Sequence, residues 1–171
     1  MLPQPNEYHP YYGNYIQLSE DAPLVQSLEN SMQVFQDFVS NIPESQMNFS
    51  YQFDKWTIAE LLMHLLDSER VFQYRAFRFA RNDQTALPGF EQDDYVLESR
   101  AGERTKEDII QEYLAIRRSS IYLFASFGDE VMQRIGTASG SPMSVRALGH
   151  IIVGHQVHHL NILQDRYLVE K

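Results

Sequence analysis

Thr57 and Glu60, three residues apart and just behind Trp56, mark the start of a long helix more firmly than any other signal in this chain. A threonine at the cap and a glutamate at the third helical position satisfy orphan backbone donors reciprocally, and an apolar residue before the cap can staple onto one in the first turn, here Leu61. The run that follows, IAELLMHLLDSERVFQYRAFRFA, sets Leu61, Leu65, Phe72, Phe77 and Phe79 on its apolar face and leaves much of the remainder to acids and arginines. The pattern predicts a helix over about 58–81. Its apolar stripe has to be covered by other elements.

Three further segments provide the cover. Asp21 as cap and Pro23 in the first turn precede Leu24, Leu28, Met32, Phe35 and Val39, a helix over about 22–41 ended by Asn41 and Pro43. Thr105 and Asp108 begin a helix over about 106–127, stopped by Gly128-Asp129. The last starts near Ser144 and runs through VRALGHIIVGHQVHHLNILQDRYL to about 168. No segment alternates convincingly as a strand, and the GTASGSP stretch reads as a small-residue link. The expectation is an all-α, four-helix bundle forming one domain over residues 1–171. Pro3, Pro5 and Pro10 make residues 1–18 an extended N-terminal arm, whose tyrosines either pack across the body or contact a second subunit. Residues 82–104, with Pro88-Gly89 and many acids, form a connection long enough to serve as a lid or rim.

Charge and composition narrow the function classes. Fourteen Lys and Arg against 23 Asp and Glu give a net charge of −9, which disfavours nucleic acid as a partner. No cysteine is present, so disulfides, thiolate metal sites and a cysteine nucleophile are excluded, and the composition suits a cytoplasmic protein. The first residues lack a basic and apolar leader, and no apolar run is long enough for a membrane span. Walker loops, nucleophile elbows and dinucleotide glycine patterns do not occur. The histidines are left as the chemical candidates.

His155 and His159 are four residues apart in GHQVHHLNIL, which on a helix is a rotation of about 40° and a rise of about 6 Å, so both rings leave one face as a chelating pair. Leu148, Ile151, Ile152 and Ile162 lie on or near that face, which turns it into the bundle. A third donor is expected from a facing helix, and His64, set among leucines, is the only histidine in the other helices. Three neutral imidazoles on a divalent cation leave coordination positions free for water or a substrate. Zinc or nickel suits such a donor set best, with iron and manganese as further options. His158, about 60° from His155 and about 100° from His159, has three open roles: replacing His159 as ligand, orienting a carboxylate, or resting at a helix contact. His150 faces away, and His9 lies in the arm. Glu60 and Asp67, at i−4 and i+3 from His64, are candidates to orient a ligand ring or act as a base. The competing assignments are the capping box for Glu60 and a salt bridge for Asp67. Arg75 shares the His64 face nearly three turns on and reads as an ion-pair partner.

The KWT start with its LLDSER helix, the LPGFEQDDYV loop and the RALGHIIVGHQVHHL helix together resemble the DinB-like superfamily that includes the YfiT-type proteins. The similarity spans nearly the whole chain. It implies an up-down-down-up four-helix bundle, a divalent metal on His64, His155 and His159, and a frequent tendency to form homodimers. Related families include thiol S-transferases that use low-molecular-weight thiols such as bacillithiol or mycothiol, together with metal-dependent hydrolases. The expectation is therefore a metalloenzyme that activates a thiol or water against a small electrophilic substrate. The alternative is a non-catalytic bundle with a structural metal or a stress-related interaction role.

Overall fold

The Thr57–Glu60 capping box forms as its residues require. The Glu60 amide donates to Thr57 Oγ1 at 3.2 Å, and the Thr57 amide donates to Glu60 Oε2 at 2.7 Å. This is the start of one of four long helices in a computed structural model that describes residues 2–19 and 21–169. Met1 of the arm lies outside the described residues, as do Glu20, Glu170 and Lys171; every candidate site residue lies inside. In chain order the helices are α1 (Gly13–Leu18), α2 (Leu24–Ser40), α3 (Ile58–Ala80), α4 (Gln92–Glu98), α5 (Lys106–Ala125), α6 (Asp129–Met132) and α7 (Val145–Ile162). Helices α2, α3, α5 and α7 make a four-helix bundle. Around it the order is α2, α5, α3, α7, so α2 and α3 stand on a diagonal and α7 packs against both. Among the described residues, no helix is long and apolar enough to cross a membrane.

Four local expectations need correction. The arm is not extended: Pro5–Glu7 and Pro10–Tyr12 form single 3-10 turns and α1 is helical, because a proline at the first position of a turn starts helical backbone as readily as it blocks a strand. Pro23, not Asp21, occupies the cap position of α2. The small-residue link is an antiparallel ribbon of β1 (Ile135–Ala138) and β2 (Ser141–Ser144). Ser139 and Gly140 close it with φ of 52° and 75°, the two left-handed residues of a tight hairpin turn. Finally, α7 ends at Ile162 and passes into a π-helical turn over Leu163–Tyr167.

The apolar interior falls into two clusters. One gathers Phe35, Leu62, Leu66, Ile109, Tyr113 and Leu163. The other gathers Leu28, Phe72, Phe79, Phe124, Leu148 and Ile151. Between them each long helix contributes polar side chains, and those of α3 and α7 include the histidines.

The arm lies along α7. Its contact is set by Gly154, where a Cβ would sit 1.7 Å from the Tyr15 carbonyl oxygen. Only a residue without a side chain admits that approach. Ile16 is thereby buried, and Glu7 reaches Arg146 at 2.5 Å and Ser144 at 2.8 Å.

Candidate metal centre

α3 and α7 bring three imidazoles to one point. His155 Nε2 lies 3.1 Å from His64 Nε2 and 3.0 Å from His159 Nε2, and one ring nitrogen from each residue falls within 4.8 Å of the other two. The i, i+4 spacing on α7 supplies the pair, and the packing of α3 on α7 supplies the third ring. All three are at most 9% exposed. Burial pushes His64 down to about 4 and His159 down to about 3 and holds His155 well below the ordinary imidazole value, the neighbouring rings adding to the effect on His155 and His159. At neutral pH the rings are therefore uncharged, the state in which imidazole binds a metal.

Neutral rings in this arrangement cannot satisfy one another. A neutral imidazole nitrogen carries either one N–H or one lone pair, yet His155 Nε2 faces two other Nε2 atoms at hydrogen-bond distance. One contact can be a full hydrogen bond; the other is then left to compete for the same proton or the same lone pair. On the far side of the rings, His64 Nδ1 has Ser68 Oγ at 3.5 Å, while His159 Nδ1 is buried without a partner among the described residues. Three lone pairs turned inward is the arrangement that a cation satisfies.

A cleft of about 270 Å³ opens onto His64 and His155. Tyr11, Tyr12 and Tyr15 of the arm form one wall and Phe72 another, and Phe90 to Asp93 of the long connection form the rim. Tyr15 packs its ring 5.1 Å from that of His155 and 5.3 Å from that of His158; Trp56 lies 4.9 Å from His64. A larger hollow of about 770 Å³ runs between Phe38, Pro43, Phe49 and Tyr167, but among the described residues no histidine or carboxylate lines it. Chemistry, not size, selects the smaller cleft.

The remaining sequence candidates fall elsewhere. His158 stays outside the three-ring cluster, half-buried against Tyr15 and edge-on to His159. Glu60 is engaged with Thr57, and Asp67 pairs with Arg70 at 3.2 Å, so neither carboxylate is among the groups lining the cleft. Burial raises Asp67 above the usual carboxylate range, opposed by the Arg70 charge. His150 is buried away from the cleft with Nδ1 2.7 Å from Ser19 Oγ, and His9 Nδ1 accepts from the Tyr11 amide at 3.2 Å.

Sequence reasoning missed the buried network beside the histidines. Arg117 makes a two-pronged pair with Glu69, both bonds 2.8 Å, and donates to Gln156 Oε1 at 2.9 Å. Tyr113 donates to the same oxygen at 2.6 Å, and Gln156 Nε2 donates to the Ser31 carbonyl at 2.7 Å. A polar or charged residue inside each apolar stripe, Ser31, Glu69, Arg117 and Gln156, was the available signal.

A bundle with histidines from two helices gathered at a cleft defines the class before any comparison. Residues 27–163 match the model of the DinB superfamily, and the chain belongs to that superfamily. Among solved structures it is similar to YfiT from Bacillus subtilis, described as a probable metal-dependent hydrolase with an unusual four-helix bundle topology. The two share 15% identity at a TM-score of 0.76, over 93% of this chain and 91% of that one, a likeness of fold. No curated protein matches the chain in sequence.

Proposed function

We propose that His64, His155 and His159 hold a divalent cation and that the protein is a metal-dependent enzyme of the thiol-transferase or hydrolase type acting on a small electrophilic molecule. The observation that carries this reading is the convergence of three neutral ring nitrogens that hydrogen bonding among themselves leaves unsatisfied. Zinc or nickel fits an all-nitrogen donor set of this kind, and iron or manganese is less favoured. When bound, such an ion supplies Lewis acidity, which makes water or a thiol a competent nucleophile at neutral pH. The protein side chains do the rest. Tyr15, Phe72 and Trp56 shield the rings from bulk water, and Tyr12 with Phe90 borders the space for the electrophile.

Catalysis is favoured over a purely structural ion by two features. Among the described residues no fourth histidine or carboxylate joins the three, and two of the three rings face the cleft. A structural site is closed by four protein ligands; a reactive one keeps a position open. The description of YfiT as a metal-dependent hydrolase supports the same reading. The test is elemental analysis of untagged protein beside a His155→Ala variant. One equivalent of metal in the parent and its loss in the variant is the expected result. A parent that stays metal-free after exposure to zinc and nickel defeats the proposal.

A further inference from the structure

Arg75 stands on α3 behind the wall of the cleft and is 2% exposed. The sequence pattern marks it as an ion-pair partner, and the structure corrects that: among the described residues it meets no carboxylate. Its Nη2 donates to the Pro88 carbonyl and to Ser139 Oγ, both at 3.0 Å, and the guanidinium also bonds the Tyr12 hydroxyl. The guanidinium carbon lies 5.9 Å from the centre of the Phe90 ring. The contrast with the other buried arginine is direct: Arg117 has Glu69 in a two-pronged pair. A buried charge without a counter-charge is costly, so an aliphatic side chain would fill this space at lower cost.

What the guanidinium does is hold three segments. Tyr12 belongs to the arm, Pro88 and Phe90 to the long connection, and Ser139 to the turn of the β-ribbon; Tyr12, Phe90 and Ser139 all line the cleft, and Arg75 does not. The connection and the ribbon also meet through backbone, the Leu87 amide donating to the Thr137 carbonyl at 2.9 Å and the Ser139 amide to the Leu87 carbonyl at 3.0 Å. The arm has no such tie. Tyr12 packs edge-on to Phe72 of α3 at 6.2 Å, but among the described residues no hydrogen bond, ion pair or ring pair joins residues 2–18 directly to residues 82–100. Arg75 is where the two meet. A planar guanidinium with five N–H groups and two faces takes partners on several sides at once, which a lysine ammonium does not reproduce.

We propose that Arg75 is a positioning residue of the cleft: from behind its wall, one guanidinium fixes Tyr12, Phe90 and Ser139 relative to one another and couples the arm to the long connection, so that the two sides of the cleft loosen together. This rests on the reading of the cleft as the substrate site and adds what sets the spacing of its walls.

The experiment measures amide hydrogen exchange by NMR on metal-free protein, so its outcome is independent of the metal assignment. The reporters are the Ser19 amide just past the arm, bonded to the Tyr15 carbonyl at 3.1 Å, and the Leu87 and Tyr95 amides of the connection, bonded to the Thr137 and Glu91 carbonyls at 2.9 and 3.2 Å. Amides of α5 report global stability. Tyr12→Phe removes only the hydroxyl by which the arm meets the guanidinium, and it is expected to speed exchange at Leu87 and Tyr95 as well as Ser19 by about threefold or more, with α5 unchanged. Arg75→Met is expected to speed all three reporters further. Adding Tyr12→Phe to it is expected to change nothing more, since the two act through one contact. If Arg75→Met does not fold, Arg75→Lys, which keeps the charge but loses the fork, takes its place with the same expectation. Leu87 and Tyr95 unchanged in Tyr12→Phe, effects of the two substitutions that add, or α5 amides speeding in step with the reporters would each overturn the proposal.

Discussion

Gly154→Ala separates the contribution of the arm from that of the helix it lies on. Glycine in a helix interior is about 1 kcal/mol less favourable than alanine, so a helix-only view expects the variant to be more stable. The structure dictates the opposite sign. A Cβ at residue 154 would lie 1.7 Å from the Tyr15 carbonyl oxygen, 2.5 Å from its carbon and 2.9 Å from its Cα. These are backbone atoms with no rotamer to change. To regain an ordinary contact of about 3.5 Å, α1 must retreat by roughly 1.8 Å. Overpacking on that scale costs about 1–3 kcal/mol, which outweighs or cancels the propensity gain. The retreat also lifts the Tyr15 ring from His155, since the two are held 5.1 Å apart by the same contact. The expected results are a melting temperature lower by a few degrees, faster proteolytic cleavage within residues 2–18, and metal content unchanged, because the proposed ligands His64, His155 and His159 stand on α3 and α7. Urea denaturation, limited proteolysis and elemental analysis check the three. A variant more stable than the parent by about 1 kcal/mol, with its arm still protected, would refute the reasoning.

Two other perturbations have definite signs. Glu69→Gln leaves the Arg117 charge buried beside a neutral amide, and breaking a buried pair from one side costs about 3–5 kcal/mol; replacing Glu69 and Arg117 together by Leu and Met is expected to cost less than the single change, and chemical denaturation of both variants decides it. Metal-free protein is expected to lose stability on acidification from pH 6.5 to 4. His150 is held down to about 4, mainly by burial, so above its unfolded value near 6.5 it contributes no pH dependence, and below it the unfolded chain takes up a proton that the folded chain refuses. Down to pH 4 this one histidine accounts for roughly 3 kcal/mol, with His64 and His159 adding to it in the same direction. His150→Gln is expected to flatten the curve of denaturation midpoint against pH, and an unchanged slope would contradict the assignment.

The legible parts of this chain were those in which a local pattern carries its own physical cause. The capping box of α3 was readable because both partners are three residues apart, and the side-by-side histidines of α7 because four residues make just over one helical turn. His64 could be joined to them once the helices were known to pack. The β-ribbon was not readable in the same way. Its turn uses a left-handed serine, and its strands are four residues long with Gly136 fitted under Phe79, where a Cβ would lie 2.0 Å from the ring. Only the tertiary contact makes glycine the required residue there. The arm misled for a related reason, since prolines bar regular strand and helix interiors yet suit the first residue of a turn.

The network around Gln156 explains why His155 and His159 face α3 at all. A helix as apolar as α7, with Val145, Leu148, Ile151, Ile152 and Leu160 all buried, has several rotations about its axis that bury similar area, so apolar packing specifies its angle weakly. Gln156 removes that freedom. It accepts from Tyr113 and Arg117 on α5 and donates to Ser31 on α2, while Arg117 is itself held by Glu69 on α3. All four long helices are thus tied through one side chain adjacent to His155. Rotating α7 by one residue, about 100°, would break the three bonds of Gln156 and leave its buried amide unpaired, while the Arg117–Glu69 pair between α5 and α3 stays in place. The charged layer contributes little net stability compared with an apolar replacement. What it supplies is a single allowed orientation, the one that turns His155 and His159 toward His64.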